Sequence, residues 1–285
     1  MTTLLLLLLV IGLAPLGAGV ALLKPSPRGT WPRPRLGSVL LCALAFNLTF
    51  FWQELWLVIP KALTPGLHPI LYHNNHDWTG DAPGVELLQG SGAVATLASG
   101  LAFLGALAAL RRASATWRWF LFWMAFQGLY QSLTQLAIGT LLPGNDVGRA
   151  LAWLHVGAAA RWALLALAVT AMALAGAGLA RAGPSSGEQR PASPTRAFAG
   201  EMLLTTMLAI VLIIPFRLPR NIVEVALIPL FINLVGVGWL ALGAATVRRG
   251  AGGEDPERAG VVAPALALGA TLLLFQLVLR PGVAF

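Results

Sequence analysis

Residues 90–110 read GSGAVATLASGLAFLGALAAL, a stretch without a charged side chain, and Arg111 and Arg112 follow it directly. A helix needs about 20 mostly apolar residues to cross the hydrocarbon core of a bilayer. The stretch therefore predicts a transmembrane helix. The two arginines predict that the C-terminal end of this helix lies on the cytoplasmic side.

The composition of the whole chain agrees with that prediction. Of the 285 residues, 57% are hydrophobic and only 11% are charged, whereas a soluble domain carries roughly 25% charged residues. Lipid can face the apolar surface that so few charges leave uncovered. The apolar runs on either side of residues 90–110 predict an all-α, polytopic transmembrane bundle, one domain over residues 1–285 with about eight spans. The predicted spans are residues 2–23, 37–60, 90–110, 116–142, 150–180, 199–216, 221–246 and 260–280.

Two of these predictions have alternatives. The fifth predicted span, residues 150–180, is long enough to tilt or to project beyond the bilayer. The sixth and seventh spans are separated only by residues 215–219, so one broken re-entrant hairpin is the alternative to two complete spans.

The basic residues are concentrated in alternate loops. Thirteen of the 19 Lys and Arg residues follow the first, third, fifth and seventh predicted spans. The positive-inside rule makes those loops, including residues 182–197, cytoplasmic. Both termini and the loop at residues 61–89 are then extracytoplasmic. Membrane topology and anionic headgroups account for the net charge of +8, so we predict a cell-membrane protein with the bilayer, not nucleic acid, as its partner.

The extracytoplasmic loop contains a candidate metal site. His73 and His76 are three residues apart, so a helical turn would put both imidazoles on one face, with Asp77 beside them. Zinc or another divalent cation is the cofactor that such ligands would bind. The alternative is an interfacial loop without a site, in which Tyr72 and Trp78 lie among the headgroups.

Polar side chains inside the predicted spans form a second group of candidates, because such groups are costly in hydrocarbon and usually face the bundle interior. Gln127, Gln131 and Gln135 repeat every four residues and make one polar stripe on the fourth span. The alternative for the stripe is hydrogen bonding between helices with no further role. Glu54 and Arg161 each need a partner at their depth, and we predict that they pair with each other.

Two further candidates are weaker. Arg220 and Glu224 are four residues apart at the start of the seventh span, where they form either a pair on one helix face or an ordinary solvated helix end. His155 is the one histidine within a predicted span. Haem ligation across a bundle needs histidines on two helices, so this residue alone does not predict a cytochrome.

The order of three segments resembles the site-2 proteases, which are intramembrane zinc metallopeptidases. Residues 53–57 read QELWL in the second span, residues 143–148 read PGNDVG after the fourth, and a hairpin of small residues begins at Gly90 between them. In that family the first motif is His-Glu-x-x-His, and an aspartate in a later turn is the third zinc ligand. The resemblance covers roughly residues 50–150.

The resemblance implies a role for each residue that matches. Glu54 matches the catalytic glutamate of the family and Asp146 its ligand aspartate. Gln53 and Leu57 replace the two ligand histidines, so the usual site cannot form. The resemblance thus implies a relative that has lost its metal, or a site rebuilt from His73, His76 and Asp146 with Glu54 as the base.

Three functions stay open on the sequence alone. The first is a metal-dependent membrane hydrolase of peptidase type, or an inactive descendant of one. The second is a transporter or permease that uses the polar stripe as a path. The third is a non-catalytic subunit or assembly factor that binds another membrane protein. The single cysteine, Cys42, excludes a dithiol oxidoreductase, and the absence of a Walker or Rossmann fingerprint gives nucleotide chemistry no support.

Overall fold

The computed structural model describes residues 6, 9–26, 32–183, 195–218, 222–246 and 260–285. The described residues form mainly helices, with one three-stranded sheet near one end. The helices are α1 Ala14–Leu22, α2 Leu36–Ala62, α3 Val85–Leu88, α4 Ser91–Ala109, α5 Ala115–Leu141, α6 Asp146–Trp153, α7 Ala158–Ala182, α8 Arg196–Arg217, α9 Ile228–Thr246 and α10 Val262–Leu274; the strands are β1 Leu67–Leu71, β2 His76–Gly80 and β3 Val283–Ala284. Short π-helical turns precede α1 and α9 and follow α10.

Six helical segments of the described chain are long and apolar enough to cross a membrane. Each corresponds to one of the eight spans predicted from hydropathy. They are Leu36–Ala62, Val85–Ala109, Ala158–Ala182, Arg196–Arg217, Val223–Thr246 and Val262–Leu279. A multi-pass helical membrane protein is therefore the architecture of this chain.

The two remaining predicted spans differ from these six. In the described part of the first, the apolar helix Val10–Leu22 is too short to cross a bilayer. The fourth is α5, which has 27 residues but carries the glutamine stripe, so its hydropathy is lower. Since α5 packs against α2, α4, α7 and α9, its polar side chains meet protein rather than lipid. Trp119, Trp123 and Tyr130 are among its fully buried residues.

Glycines allow two pairs of helices to pack at backbone distance. A Cβ atom on Gly100 of α4 would lie 2.6 Å from the backbone nitrogen of Leu129 in α5. A Cβ atom on Gly243 of α9 would likewise overlap the backbone of Gly176 in α7. Close packing through small residues stabilises helix pairs in a bilayer, where the hydrophobic effect between helices is absent.

The prediction of an all-α fold is incomplete, because the loop after α2 folds into a β-hairpin. β1 pairs antiparallel with β2 from Leu67–Gly80 to Leu71–His76, and β3 pairs with β1, giving the strand order β2-β1-β3. Leu67 and Leu71 face the core, as the alternation of a strand requires. The helical turn expected for His73 and His76 therefore does not form. Gly80, with φ +90°, takes a backbone conformation that favours glycine.

The predicted fifth span is also divided. α6 ends at Trp153 and α7 begins at Ala158, so residues 150–180 form parts of two helices instead of one. His155 lies in the connection with φ +52°, a left-handed conformation. The prediction that His155 lies on a span is therefore wrong.

The loops predicted to share the cytoplasmic side meet at one end of the bundle. Contacts there join the pairs Lys24–Thr195, Arg118–Ala182 and Thr116–Gly260. α8 starts beside this end and reaches the hairpin at its other end, where the Phe216 carbonyl oxygen lies 3.2 Å from Nε2 of His73. The sheet and the basic loops thus occupy opposite ends.

Candidate active site

The hairpin places His76 against α2, between Glu54 and Lys61. Nδ1 of the His76 ring lies 2.7 Å from Oε2 of Glu54, and Nε2 lies 3.3 Å from Nζ of Lys61. Glu54 and Lys61 are seven residues apart, or about two helical turns, so their side chains share one face of α2. One imidazole therefore bridges a carboxylate and an amine.

The chemistry of the three groups fixes the direction of the hydrogen bonds. An ionised carboxylate only accepts, so Nδ1 of His76 donates to Glu54. In the neutral ring Nε2 then carries the lone pair and accepts from the Lys61 ammonium. Lys61 also donates to the Leu57 carbonyl oxygen at 2.7 Å. The Glu54 carboxylate and the Lys61 amine thus lie on opposite sides of one imidazole.

These groups are held away from water. The side chains of Glu54 and His76 are each only 8% exposed, and Lys61 is fully buried. The Trp78 ring stacks on the His76 ring with 5.8 Å between their centroids, and Lys61 Nζ lies 4.9 Å from the Trp78 ring centroid. Buried charges are tolerated only when they are paired and hydrogen-bonded, and this cluster meets that condition. We call Glu54, Lys61, His76 and Trp78 the hairpin-end cluster.

Asp146 lies at the edge of the hairpin-end cluster, at the first turn of α6. Burial, and after it the nearby Glu54 carboxylate, raise the pKa of Asp146 above its usual range, although His76, Lys61 and Arg149 act in the opposite direction. The preceding residue, Asn145, caps α6, since its side-chain oxygen accepts from the Gly148 amide at 2.6 Å. This cap fixes where α6 begins.

A ladder of buried amides leads from the hairpin-end cluster into the bundle. Oε1 of Gln53, the neighbour of Glu54, accepts from the amide nitrogens of Gln131 at 2.5 Å and Gln135 at 2.7 Å. One turn further along α5, the Gln127 amide donates to Oδ1 of Asn233 on α9 at 2.9 Å. The predicted glutamine stripe thus faces α2 and α9 and joins three helices.

The predicted pair of Glu54 and Arg161 does not form. Glu54 is bonded to His76 instead, and the Arg161 guanidinium donates to the Val156 carbonyl oxygen at 2.9 Å. The Arg161 guanidinium is thus hydrogen-bonded to a backbone carbonyl oxygen in the turn before α7. No pattern in the sequence indicated that a residue from the loop would contact Glu54.

The other candidates lie apart from the hairpin-end cluster. Asp77 is exposed and its carboxylate accepts from the backbone amide of Trp78 at 2.8 Å. The backbone carbonyl of Glu224 accepts from Arg217 at 3.4 Å. Arg220, its predicted partner, lies outside the described residues, as does the middle of the predicted connection between spans six and seven.

The predicted metal ligands do not come together as a set. Among the described residues, no three His, Cys, Asp or Glu side chains are arranged to hold a metal ion. Both ring nitrogens of His76 already have protein partners, one of them an amine that repels cations. His73 contacts the Phe216 carbonyl and the Phe275 ring on another side of the hairpin. These side chains therefore do not fit zinc or another divalent metal as predicted.

Two residues of the hairpin-end cluster were not predicted. Lys61 is one of only two lysines in the chain, the other being Lys24. A lysine at the end of a span usually extends to the headgroups. Its position in the sequence therefore does not indicate that Lys61 is buried. The spacing of seven between Glu54 and Lys61 is the signal that was available. Trp78 was predicted as a headgroup anchor, whereas it covers His76.

An apolar pocket of about 510 Å³ lies next to the hairpin-end cluster. Its walls come from the end of α2, from α3 and α4, from α5 and from α6. Pro60, which precedes Lys61, and Val147, which follows Asp146, both line it. The volume falls within the roughly 300–1,000 Å³ that small-molecule sites occupy.

In comparisons with known proteins, no protein-family model, no curated protein and no solved structure matches the chain. A helical membrane bundle is compatible with many activities, so the site, and not the fold, indicates the function.

Proposed function

We propose that the chain is a multi-pass membrane hydrolase whose acid–base residues are Lys61 and His76, with Glu54 as the residue that positions His76. The observation that carries this proposal is the continuous chain of hydrogen bonds from the Glu54 carboxylate through the imidazole to the Lys61 amine. Ionisable residues buried in membrane helices are rare and commonly functional.

The arrangement suits proton transfer. A carboxylate on Nδ1 holds the ring in one tautomer and stabilises the imidazolium that forms when Nε2 gains a proton. Lys61 lies within reach of that nitrogen, so a proton can move between the two side chains. Transfer of a proton from the Lys61 ammonium to Nε2 of His76 leaves a neutral amine, and a lysine amine in a desolvated site is well suited to act as a base.

The reaction that such a pair supports is hydrolysis of an acyl bond. The oxygen of a water molecule bonds to the acyl carbon, and the water proton passes to the Lys61–His76 pair. The bond from the acyl carbon to its leaving group then breaks, and the pair returns a proton to that group. Glu54 stays ionised throughout and orients the ring.

The resemblance to site-2 proteases is a separate part of the proposal. Glu54 and Asp146, its two matching residues, interact electrostatically beside His76. The donor set favours acid–base chemistry by lysine and histidine over a zinc site. The positive-inside rule puts this end of the bundle on the extracytoplasmic side of a cell membrane, and we propose that orientation for the site.

The test is hydrolysis of ester and amide substrates, soluble and lipidic, by the purified protein in lipid nanodiscs. We expect Lys61→Met and His76→Gln to lower the rate by about 100-fold or more, which is the usual contribution of general acid–base catalysis. Lys24→Met, which removes the exposed second lysine, is the matched control. A wild-type protein that cleaves no substrate, or a Lys61→Met variant that cleaves as fast as wild type, would contradict the proposal.

A transporter is the second candidate, because the amide ladder runs from the hairpin-end cluster to Asn233 between α5 and α9. Such a ladder offers polar contacts along the bundle interior. Flux of protons or sodium into proteoliposomes, measured for wild type and Gln131→Leu, tests this function. Equal flux in protein-containing and empty vesicles would remove it.

A further inference from the structure

The inner walls of the pocket beside Lys61 offer a ligand very few hydrogen-bonding groups. Two hydroxyl groups line it, and both are already bonded to backbone carbonyl oxygens: Ser91 to Trp56 and Leu88 at 2.6 Å, and Ser132 to Gly128 at 2.7 Å. The rest of the lining is apolar, including Leu133, Leu136 and Leu151. An occupant that needs hydrogen bonds would leave them unmade, so the walls favour a hydrocarbon chain.

The pocket lies among helices that face lipid. In the candidate span Val85–Ala109, which forms one wall, only 28% of the most apolar 18-residue stretch is buried inside the protein, so residues of this helix are left to contact acyl chains. Lipid is the hydrocarbon that surrounds these helices at high concentration. A chain can therefore enter the pocket from the bilayer without crossing water.

Two charged residues belong to helices that wall the pocket, although neither lines it. Arg149 is in α6, which contributes Val147 and Ala150 to the lining, and Glu86 is in α3, which contributes Leu87. Their ion pair is long, at 3.6 Å, and the two side chains are 41% and 43% exposed. An exposed pair of this kind contributes at most about 1 kcal/mol. Arg149 can therefore exchange Glu86 for a stronger anion, and a guanidinium matches phosphate in geometry and charge.

We propose that the substrate of the hydrolase is a membrane lipid, with its acyl chain in this pocket, its anionic phosphate headgroup on Arg149 and its acyl carbonyl toward Lys61. This inference rests on the proposed function for the cleavage step. The binding of the lipid is supported separately by the apolar pocket and by the exposed ion pair of Arg149 and Glu86. An anionic headgroup complements the charge of Arg149, and the bilayer around these helices supplies acyl chains. Both features favour a membrane lipid as the occupant.

The binding is tested in nanodiscs with a phosphatidylglycerol that carries a photoactivatable diazirine near the end of one acyl chain. After irradiation, mass spectrometry locates the cross-linked residues. We expect the cross-links to concentrate at Leu133, Leu136 and Leu151. Cross-links spread evenly over the lipid-facing helices in the wild-type protein would overturn the inference, and this result does not depend on any variant.

Filling the pocket tests the same point independently. Ala93→Trp places a large ring in the pocket, while Ala102→Trp adds the same ring to the exposed face of the same helix. We expect Ala93→Trp to lower cross-linking at Leu133 by about tenfold, the loss that corresponds to excluding two methylene groups, and Ala102→Trp to leave it unchanged. Thermal melting of both variants confirms that they are folded. Equal cross-linking at Leu133 in the two variants would contradict the binding of the acyl chain in the pocket.

The binding of the headgroup by Arg149 is tested separately. Arg149→Gln is expected to weaken cross-linking of the phosphatidylglycerol probe at least severalfold relative to a diacylglycerol probe that carries the same diazirine chain but no phosphate. A parallel loss for both probes, or no loss for either, would overturn the role of Arg149. If lipid binds in the pocket as expected but neither lipid nor soluble substrates are cleaved, the hydrolase proposal fails and the lipid site stands. If soluble esters are cleaved and lipid does not bind, the lipid site fails and the hydrolase proposal stands.

Discussion

The ring of His76 and the carboxylate of Glu54 are joined by a hydrogen bond of 2.7 Å that connects the β-hairpin to the membrane helix α2. The two residues are 22 positions apart in the chain. Because Lys61 contacts the other side of the same ring, loss of the Glu54 carboxylate removes the acidic group that is linked to this buried amine through the imidazole. The stability of this end of the bundle therefore depends on Glu54.

Glu54→Gln is expected to lower the free energy of unfolding by about 3–5 kcal/mol, the range observed when one member of a buried ion pair is removed. Thermal unfolding in detergent micelles measures the change. Glu86→Gln is the control, because Glu86 is 43% exposed and lies 3.6 Å from its partner Arg149, so a change below about 1 kcal/mol is expected. Equal melting temperatures for the two variants would show that the Glu54 pair adds no stability.

Asp146 predicts a dependence of stability on pH. Its folded-state pKa is raised by burial and by Glu54, so the folded protein holds this proton more tightly than the unfolded chain does. The contribution to stability is therefore complete below the unfolded pKa, near 3.9 for aspartate, and is lost as the pH rises through the higher folded-state pKa. Asp146→Asn has no such proton to lose.

The measurement is the difference in melting temperature between wild type and Asp146→Asn across a pH series from 4 upward in detergent. We expect the melting temperature of Asp146→Asn to rise relative to that of wild type as the pH rises, because the buried carboxylate is ionised only in wild type. Asp77→Asn is the control, since Asp77 is exposed. A difference that stays constant with pH for Asp146→Asn would contradict the raised pKa.

The sequence was sufficient for the membrane helices and for part of the site. Apolar runs determine where a chain can cross a bilayer, so six predicted spans match helices of the required length. Glu54, His76 and Asp146 were recognisable because charged or titratable groups near hydrocarbon are few. The bonding partners of these residues could not be predicted, because they depend on tertiary structure. Glu54 bonds to His76 instead of Arg161 because the hairpin folds back onto α2.

The hairpin itself was missed for a related reason. Apolar and polar residues alternate in β1, where Leu67 and Leu71 are buried and His68 is exposed, but five residues are too few to establish a period of two against a helical turn. The third strand, β3, comes from the far end of the chain. Its pairing with β1 is a long-range contact that hydropathy does not encode.

The orientation of the bundle is open to a direct test. In a Cys42→Ala background, which removes the one native thiol, single cysteines replace Asp77 in the hairpin and Arg112 in a basic loop, both exposed. A membrane-impermeant maleimide applied to intact cells is expected to label Asp77→Cys and to label Arg112→Cys only after permeabilisation, because basic loops stay in the cytoplasm. The opposite pattern would reverse the side on which the site lies.

The close packing of α4 and α5 forms a wall of the lipid pocket and can be tested with two alanines in one helix. A methyl group on Gly100 would lie 2.6 Å from a backbone atom of Leu129, whereas Gly105 has nothing within 4 Å of the corresponding position. Gly100→Ala is therefore expected to lower stability by about 1–3 kcal/mol through overpacking. Gly105→Ala is expected to be neutral or to raise it by up to about 1 kcal/mol through helix propensity.

Unfolding of both variants by added sodium dodecyl sulfate, followed by circular dichroism, gives the two free energies under the same conditions. The two substitutions are chemically identical and lie in the same helix, so the intrinsic gain in helix propensity is similar and the difference between them reports the contact with α5. If Gly100→Ala is as stable as Gly105→Ala, then α4 does not approach α5 through Gly100. The pocket between these helices would then have a different shape, and lipid cross-linking at Leu133 on α5 would be lost with it.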